Sequence, residues 1–288
     1  MAEPLLDPGL LARLEALQLR SRHRLAGLFS GEHRSSRHGS SPDFSDYRTY
    51  FPGDDFRRVD YTLYARLDVL LVKLFEAEDE LHLRLLVDTS GSMGAHGKLA
   101  AAKRLAAALG FVALVNRDPV SVHTFPLDRP APRFLGRSAS GPLFAHLESL
   151  TASGTTPFAA AASRLLSRPG PRGVTVLLSD LLTDEWEAGL KRLPSRGGDL
   201  VVVHVLAPEE LDPPMVGDLD LLDREDGTRV EVSLSPETLK QFRADAAAWA
   251  DGVATRCRRA GAAYLRLDPA ADLEPLLLGA WREAGVLR

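Results

Sequence analysis

Residues 85–100 read LLVDTSGSMGAHGKLA and decide what kind of fold the chain has. The apolar run in this stretch ends at Asp88, a loop of serine and glycine follows, and the residues from Gly97 onward have the apolar spacing of a helix. A strand, a glycine-rich loop and a helix in this order are typical of a phosphate-binding loop. The side chains at fixed positions of the loop decide whether phosphate is the ligand.

The nucleotide-binding pattern G-x-x-x-x-G-K-[ST] is not met. Counting back from Gly97, its first glycine would fall at Ser92, and the position after the Gly-Lys pair is Leu99, which has no hydroxyl for magnesium. The carboxylate of Asp88 at the mouth of the loop would also repel phosphate. The G-x-S-x-G pattern of hydrolases fails too, because Gly91 directly precedes the serine.

The same loop suits a hard cation. Three of its residues form the pattern D-x-S-x-S, and alternate residues in a turn that leaves a strand point to one side. Magnesium prefers oxygen ligands in an octahedron, and ligands of parallel sheets bind beyond the carboxyl ends of the strands. A structural alternative, in which these side chains only cap the next helix, stays open. The candidate metal ligands are Asp88, Ser90, Ser92, Asp180 and Thr155, with Thr156 as the alternative to Thr155.

Strand and helix patterns alternate from about residue 81 to the end of the chain. This alternation predicts a mainly parallel α/β sheet with helices on both faces. An Asp-Gly pair within the alternating stretch 218–233 predicts a β-hairpin, as an insertion at about 209–234. We expect strands at 81–88, 119–125, 173–180, 199–207 and 262–268.

Residues 1–80 differ, and we expect them to form a part separate from a domain at 81–288. A helix is expected over 8–20, followed by a basic arm at 20–38 that is either solvated or in contact with a partner. Residues 40–80 predict a small β-rich appendage that packs with the hairpin. Its charged residues predict ion pairs, with a partner surface or an acid–base site as alternatives: Arg48, Asp54, Asp55, Arg57, Arg58, Asp60 and Arg66.

The composition is that of an ordinary globular protein. The 288 residues are 45% hydrophobic and 26% charged, and a net charge of −4 gives no global basic field for nucleic acid. The single cysteine, Cys257, excludes a disulfide framework and a cysteine zinc site. No apolar run reaches the roughly 18 residues of a membrane helix, and the N-terminus lacks the apolar core of a secretory signal. We therefore expect a cytoplasmic protein without a membrane span.

The candidate ligands resemble the metal-ion-dependent adhesion site (MIDAS) of von Willebrand factor A domains. The correspondence covers the D-x-S-x-S loop, Thr155 after Gly154, and Asp180, with Ser153 in place of the family's first glycine. The resemblance implies a von Willebrand A-like (Rossmann-like) three-layer fold. It also implies an open Mg²⁺ or Mn²⁺ site, which an Asp or Glu of a partner protein completes.

A narrower resemblance lies directly upstream, in YRTYFPGDDFRRVDYTLYARLDVLLVKLFEAE. This stretch is similar to the bacterial family called domain of unknown function fifty-eight (DUF58), whose members carry a von Willebrand A-like domain. The family usually has Asp-Trp where this chain has Asp60-Tyr61. Its genes typically neighbour those of MoxR-type AAA+ ATPases. The resemblance therefore implies a non-enzymatic, magnesium-dependent adaptor or chaperone-like partner of such an ATPase.

Two other functional classes stay open. A metal-dependent hydrolase or phosphatase is one, because an aspartate at a strand end with magnesium also suits phosphoryl chemistry. The sequence places no general acid or lysine to assist such a reaction. The other is a structural domain that binds no metal and does not respond to magnesium or EDTA.

Overall fold

The computed structural model describes residues 4–19, 44–52, 54–75, 81–125, 131–155, 158–167, 173–193, 198–224, 227–283 and 287. The chain divides into two compact units. The larger comprises Met1–Gly27 and Leu81–Arg288, and the smaller comprises Leu28–Glu80. The basic arm at 20–38 lies outside the described residues, so its role stays a prediction.

The helices and strands are numbered in chain order over the described residues. They are α1 (Pro8–Leu14), β1 (Phe44–Thr49), α2 (Tyr61–Leu67), β2 (Leu71–Phe75), β3 (His82–Asp88), α3 (Lys98–Val115), β4 (Val120–Phe125), β5 (Arg133–Phe134), α4 (Ser140–Glu148), α5 (Phe158–Ser167), β6 (Gly173–Ser179), α6 (Trp186–Arg192), β7 (Asp199–Val205), α7 (Pro208–Leu211), β8 (Gly217–Leu222), β9 (Arg229–Leu234), α8 (Pro236–Arg259), β10 (Ala263–Leu267), α9 (Leu273–Pro275) and α10 (Trp281–Glu283). A π-helical turn, Leu276–Ala280, joins the last two helices.

A six-stranded sheet forms the centre of the larger unit, with the strand order β10-β7-β6-β3-β4-β5. Every neighbouring pair is parallel except β4 and β5. The predicted mainly parallel α/β sheet is therefore confirmed. The predicted strand limits lie within about two residues of those observed, because apolar runs bounded by turn residues mark buried strands.

Side chains from the two faces of β3 enter different hydrophobic clusters. Leu85 and Val87 pack in the cluster that includes α3 and α4. Leu86, on the opposite face, packs in the cluster that includes Phe158 of α5 and Val253 of α8. Since successive strand residues point to opposite faces, helices cover both sides of the sheet.

The order of the strands places a crevice at the end of β3. From β3 the chain moves to β4 on one side and later returns to β6 on the other side. At such a reversal the loops that follow neighbouring strands separate and leave room for a ligand beyond their carboxyl ends. Asp88 ends β3 and Asp180 directly follows β6, so both lie at this crevice.

The N-terminal helix belongs to the larger unit. Leu14 of α1 is fully buried in the main core, and Leu19 forms an isolated antiparallel bridge with Leu287. The helix is shorter than the predicted 8–20, because the chain leaves it after Leu14 and the carbonyl of Leu17 accepts a hydrogen bond of 2.9 Å from the Asn116 side chain. Residues 1–27 thus group with 81–288, although the sequence suggested a separate 1–80 part.

The hairpin insertion consists of β8 and β9, which pair antiparallel as a separate two-stranded sheet. Ser235 then caps α8 by accepting a hydrogen bond of 3.1 Å from the Thr238 amide. In the smaller unit, β1 and β2 also pair antiparallel. The predicted packing of this block on the hairpin concerns two separate units and stays a prediction. In the described ranges no helix is long and apolar enough to cross a membrane.

Candidate functional site

Asp88 ends β3 with its side chain closed off from solvent, at 2% exposure. One carboxylate oxygen accepts the Ser90 amide at 2.9 Å, and the other accepts the Ser179 hydroxyl at 2.5 Å. Burial raises the pKa of Asp88, and the nearby charge of Asp180 raises it further, while the hydrogen bonds from Ser179 and Ser90 oppose the rise. A cation bound beside this carboxylate would favour its ionised form.

The two serines of the loop bring their hydroxyls together. Ser90 Oγ and Ser92 Oγ lie 3.0 Å apart, and Ser90 is buried while Ser92 is partly exposed. Two adjacent corners of a magnesium octahedron with bonds of about 2.1 Å are also about 3 Å apart. The hydroxyl pair therefore matches two neighbouring ligand positions of such an ion.

Two backbone hydrogen bonds hold the threonine loop beside the serine loop. The Gly91 amide donates to the Gly154 carbonyl at 2.8 Å, and the Ser153 amide donates to the Thr89 carbonyl at 2.8 Å. Thr155 directly follows Gly154, so it lies next to the serine loop, and its side chain is exposed. The alternative ligand, Thr156, lies outside the described residues.

Asp180 is buried, at 1% exposure, and both its carboxylate oxygens have protein partners. Oδ2 accepts from Nζ of Lys98 at 2.7 Å, and Oδ1 accepts from the Leu182 amide at 3.2 Å. The structure thus brings Asp180 near Asp88, whose pKa it raises, but pairs it with a lysine.

Lys98 and Glu210 are site residues that the sequence analysis missed. Lys98 has no exposed surface, and its ammonium also pairs with Oε1 of Glu210, the third residue of α7. No lysine was predicted here to assist phosphoryl chemistry, and the structure shows Lys98 at the site as an ion-pair partner. The Gly-Lys pair that opens α3 was the available signal, but its partners lie 82 and 112 residues away in the chain.

His204 supports Asp180 from the neighbouring strand β7. Its Nε2 lies 2.9 Å from the Asp180 carbonyl oxygen, and its Nδ1 lies 2.9 Å from the Tyr264 hydroxyl. A carbonyl only accepts, so Nε2 donates and Nδ1 accepts from the tyrosine. Burial lowers the pKa of His204 to about 4, so the ring is neutral at pH 7.

The donor set fits a hard cation. Within the described part of the chain, no three His, Cys, Asp or Glu side chains form a metal-binding cluster. The oxygens that lie together are instead the buried carboxylate of Asp88 and the paired hydroxyls of Ser90 and Ser92, beside the loop of Thr155. Neutral oxygen donors suit Mg²⁺ or Mn²⁺ and do not suit softer metals.

The charged block of the smaller unit has structural roles. Arg48 forms a two-pronged ion pair with Asp54 at 2.7 and 2.8 Å. Asp55 caps the short helical turn that follows it, and Asp60 caps α2. The Lys73 ammonium, 3.0 Å from Asp60, is the main reason that the pKa of Asp60 falls to about 2. These contacts agree with the predicted ion-pair network.

Comparison with known proteins gives uncharacterized relatives. Proteins of Mycobacterium tuberculosis (strain H37Rv) and Mycobacterium bovis are each 30% identical over 272 residues, which covers 91% of this chain and 85% of theirs. Among solved structures the chain is similar to BatB from Bacteroides thetaiotaomicron, with a TM-score of 0.44, 19% identity, and coverage of 71% of this chain and 98% of that one. An aerotolerance-related membrane protein from Bacteroides fragilis gives a TM-score of 0.43 at 20% identity, with coverage of 65% and 92%.

The family model described as "Protein of unknown function DUF58" matches residues 46–251. This range includes the upstream block, the serine loop and the hairpin, so the family predicted from the sequence is confirmed. The chain belongs to the DUF58 family.

Proposed function

We propose that this protein is a non-enzymatic, metal-dependent interaction module with a von Willebrand A-like fold. Mg²⁺ or Mn²⁺ is held by Asp88 and by the hydroxyls of Ser90, Ser92 and Thr155. Asp180 ligates the cation directly or through water. An Asp or Glu of a partner protein takes the remaining open position, because a site with few formal charges leaves the cation electrophilic.

One observation carries the proposal. The hydroxyls of Ser90 and Ser92 lie 3.0 Å apart beside the buried carboxylate of Asp88, at the carboxyl end of β3. The same carboxylate accepts from the Ser90 amide and the Ser179 hydroxyl, so backbone and side-chain contacts fix its position at the crevice. A cation coordinated by these oxygens would offset the burial and the charge of Asp180.

The contacts favour binding over phosphoryl chemistry. Lys98 contacts the carboxylate of Asp180, and His204 contacts its backbone carbonyl. The lysine ammonium is held between two carboxylates, and both ring nitrogens of the histidine are hydrogen-bonded. Neither group is therefore poised to move a proton to or from a substrate.

The partner we propose is a MoxR-type AAA+ ATPase, for which the protein acts as an adaptor or chaperone-like subunit. This part rests on the DUF58 resemblance. Binding of the purified ATPase without nucleotide, in magnesium and in EDTA, tests it. We expect binding that needs both magnesium and Asp88, and equal binding by Asp88→Ala would exclude the metal-mediated contact.

Titration with Mn²⁺, followed by electron paramagnetic resonance, tests the metal site itself. We expect one bound ion in the wild type and none in Asp88→Ala. Asp184→Ala is the matched control, because Asp184 is exposed and lies in the loop after β6. Undiminished binding by Asp88→Ala, or no binding by the wild type, would overturn the proposal.

A further inference from the structure

The local structure around position 98 does not favour a lysine. It is the first residue of α3, where the helix dipole disfavours a positive charge, and it is fully buried. Its two carboxylate partners, Asp180 and Glu210, lie after two other strands of the sheet. The lysine is therefore held there by those long-range ion pairs.

The two carboxylates belong to different parts of the structure. Asp180 belongs to the crevice of the proposed metal site. Glu210 belongs to α7, where its second oxygen accepts the Ala207 amide at 3.0 Å and so closes the first turn of that helix. Since α7 is the start of the insertion that leads to β8, Lys98 physically joins the metal site to the insertion.

The charges of the cluster are unbalanced. Asp88, Asp180 and Glu210 provide three negative charges against the single positive charge of Lys98 when all are ionised. A divalent cation beside Asp88 would also attract Oδ2 of Asp180, the atom that accepts from Lys98 at 2.7 Å. The cation and the ammonium therefore compete for one carboxylate.

We propose that Lys98 is an internal cation that holds Asp180 while the metal site is empty and yields it when a divalent cation binds. The shift weakens the hold of Lys98 on Glu210 and loosens α7 at the root of the hairpin. Occupancy of the site thus regulates the insertion. This inference rests on the proposed function, because it requires that the site binds a cation.

Magnesium affinity, measured by calorimetry, should change in opposite directions in two variants. Lys98→Met removes the competitor, so we expect magnesium to bind at least about tenfold more tightly. In Glu210→Gln, Asp180 is the remaining carboxylate partner of Lys98 in this cluster, and one negative charge is lost. We therefore expect magnesium to bind about tenfold more weakly. Glu209→Gln, on the exposed side of the same helix, is the control and should bind as the wild type does.

Hydrogen exchange of residues 206–216, compared in magnesium and in EDTA, gives the second test. We expect faster exchange of α7 in magnesium for the wild type, and no response in Lys98→Met, where α7 is already released. If magnesium binds but neither exchange nor the two affinities change, this inference is wrong and the metal site stands. If the wild type and Lys98→Met both fail to bind magnesium, the proposed function fails and this inference fails with it. Glu210→Gln keeps the test valid if Lys98→Met does not fold.

Discussion

Nζ of Lys98 lies 2.7 Å from Oδ2 of Asp180, and neither side chain reaches solvent. A buried ion pair is costly to form, because both groups lose their hydration. This pair lies at the carboxyl edge of the sheet, near the buried carboxylate of Asp88. The buried charges therefore affect both ligand binding and stability.

Replacing Asp88 with asparagine should stabilise the metal-free protein. The amide keeps the acceptor for the Ser90 amide and removes a buried charge that faces Asp180. We expect a gain of about 1 kcal/mol, or about 2–4 °C in melting temperature. The same variant should lose its response to magnesium. A lower melting temperature in EDTA would show that the ionised carboxylate is needed for folding rather than for binding.

Thr155 should contribute to metal affinity without contributing to stability, because its side chain is exposed and its loop is held by backbone hydrogen bonds. We expect Thr155→Ala to bind Mn²⁺ about tenfold more weakly at an unchanged melting temperature. Thr151→Ala, an exposed threonine of the same loop, should bind normally. Loss of affinity in Thr156→Ala but not in Thr155→Ala would assign the ligand to the neighbouring residue.

His82, at the opposite end of β3 from the site, should make stability depend on pH. Burial, followed by the charge of Arg84, lowers its pKa to about 4, and its Nδ1 has no partner among the described residues. The unfolded chain therefore binds a proton that the folded chain rejects, so stability falls as pH drops from about 6.5 toward 4. This histidine accounts for at most about 2 kcal/mol between pH 7 and pH 5.

Urea denaturation at pH 7 and pH 5 measures this effect. His82→Gln should show a smaller loss of stability on acidification than the wild type. His96→Gln is the control, because His96 is exposed. An equal pH dependence in His82→Gln and the wild type would contradict the assignment.

Two glycines test the packing of the helices around the sheet. A Cβ on Gly189 of α6 would lie 2.2 Å from the Phe158 ring, whereas one on Gly252 of α8 would meet nothing within 4 Å. Gly189→Ala should therefore cost about 1–3 kcal/mol of unfolding free energy. Gly252→Ala should gain up to about 1 kcal/mol, because alanine favours a helix. Chemical denaturation of both variants measures these opposite signs.

Local patterns were sufficient to predict most of the larger unit. The apolar runs that became β3 and β6 mark buried strands, and Ser235 followed by Pro236 marks the start of α8. The length of α1 was not predictable, because the chain leaves the helix to satisfy a contact with Asn116, about 100 residues away. Tertiary contacts of this kind override local helix preference.

The candidate site was predictable only where its residues lie close together in the sequence. Asp88, Ser90 and Ser92 lie within five residues, and their spacing predicts that they converge. The partners of Lys98 follow two other strands, β6 and β7, and only the order of the strands brings them together. No pattern within α3 reveals that its first residue is paired with Asp180 and Glu210.

The most direct test of the account is the melting temperature of wild type and Asp88→Ala in EDTA, magnesium and manganese. A cation at about 100 times its dissociation constant stabilises the folded state by about 2.7 kcal/mol, which corresponds to about 5–10 °C here. We predict that rise for the wild type with either metal, and no rise for Asp88→Ala. A melting temperature of the wild type that is the same in EDTA and in both metals would contradict the metal-dependent function.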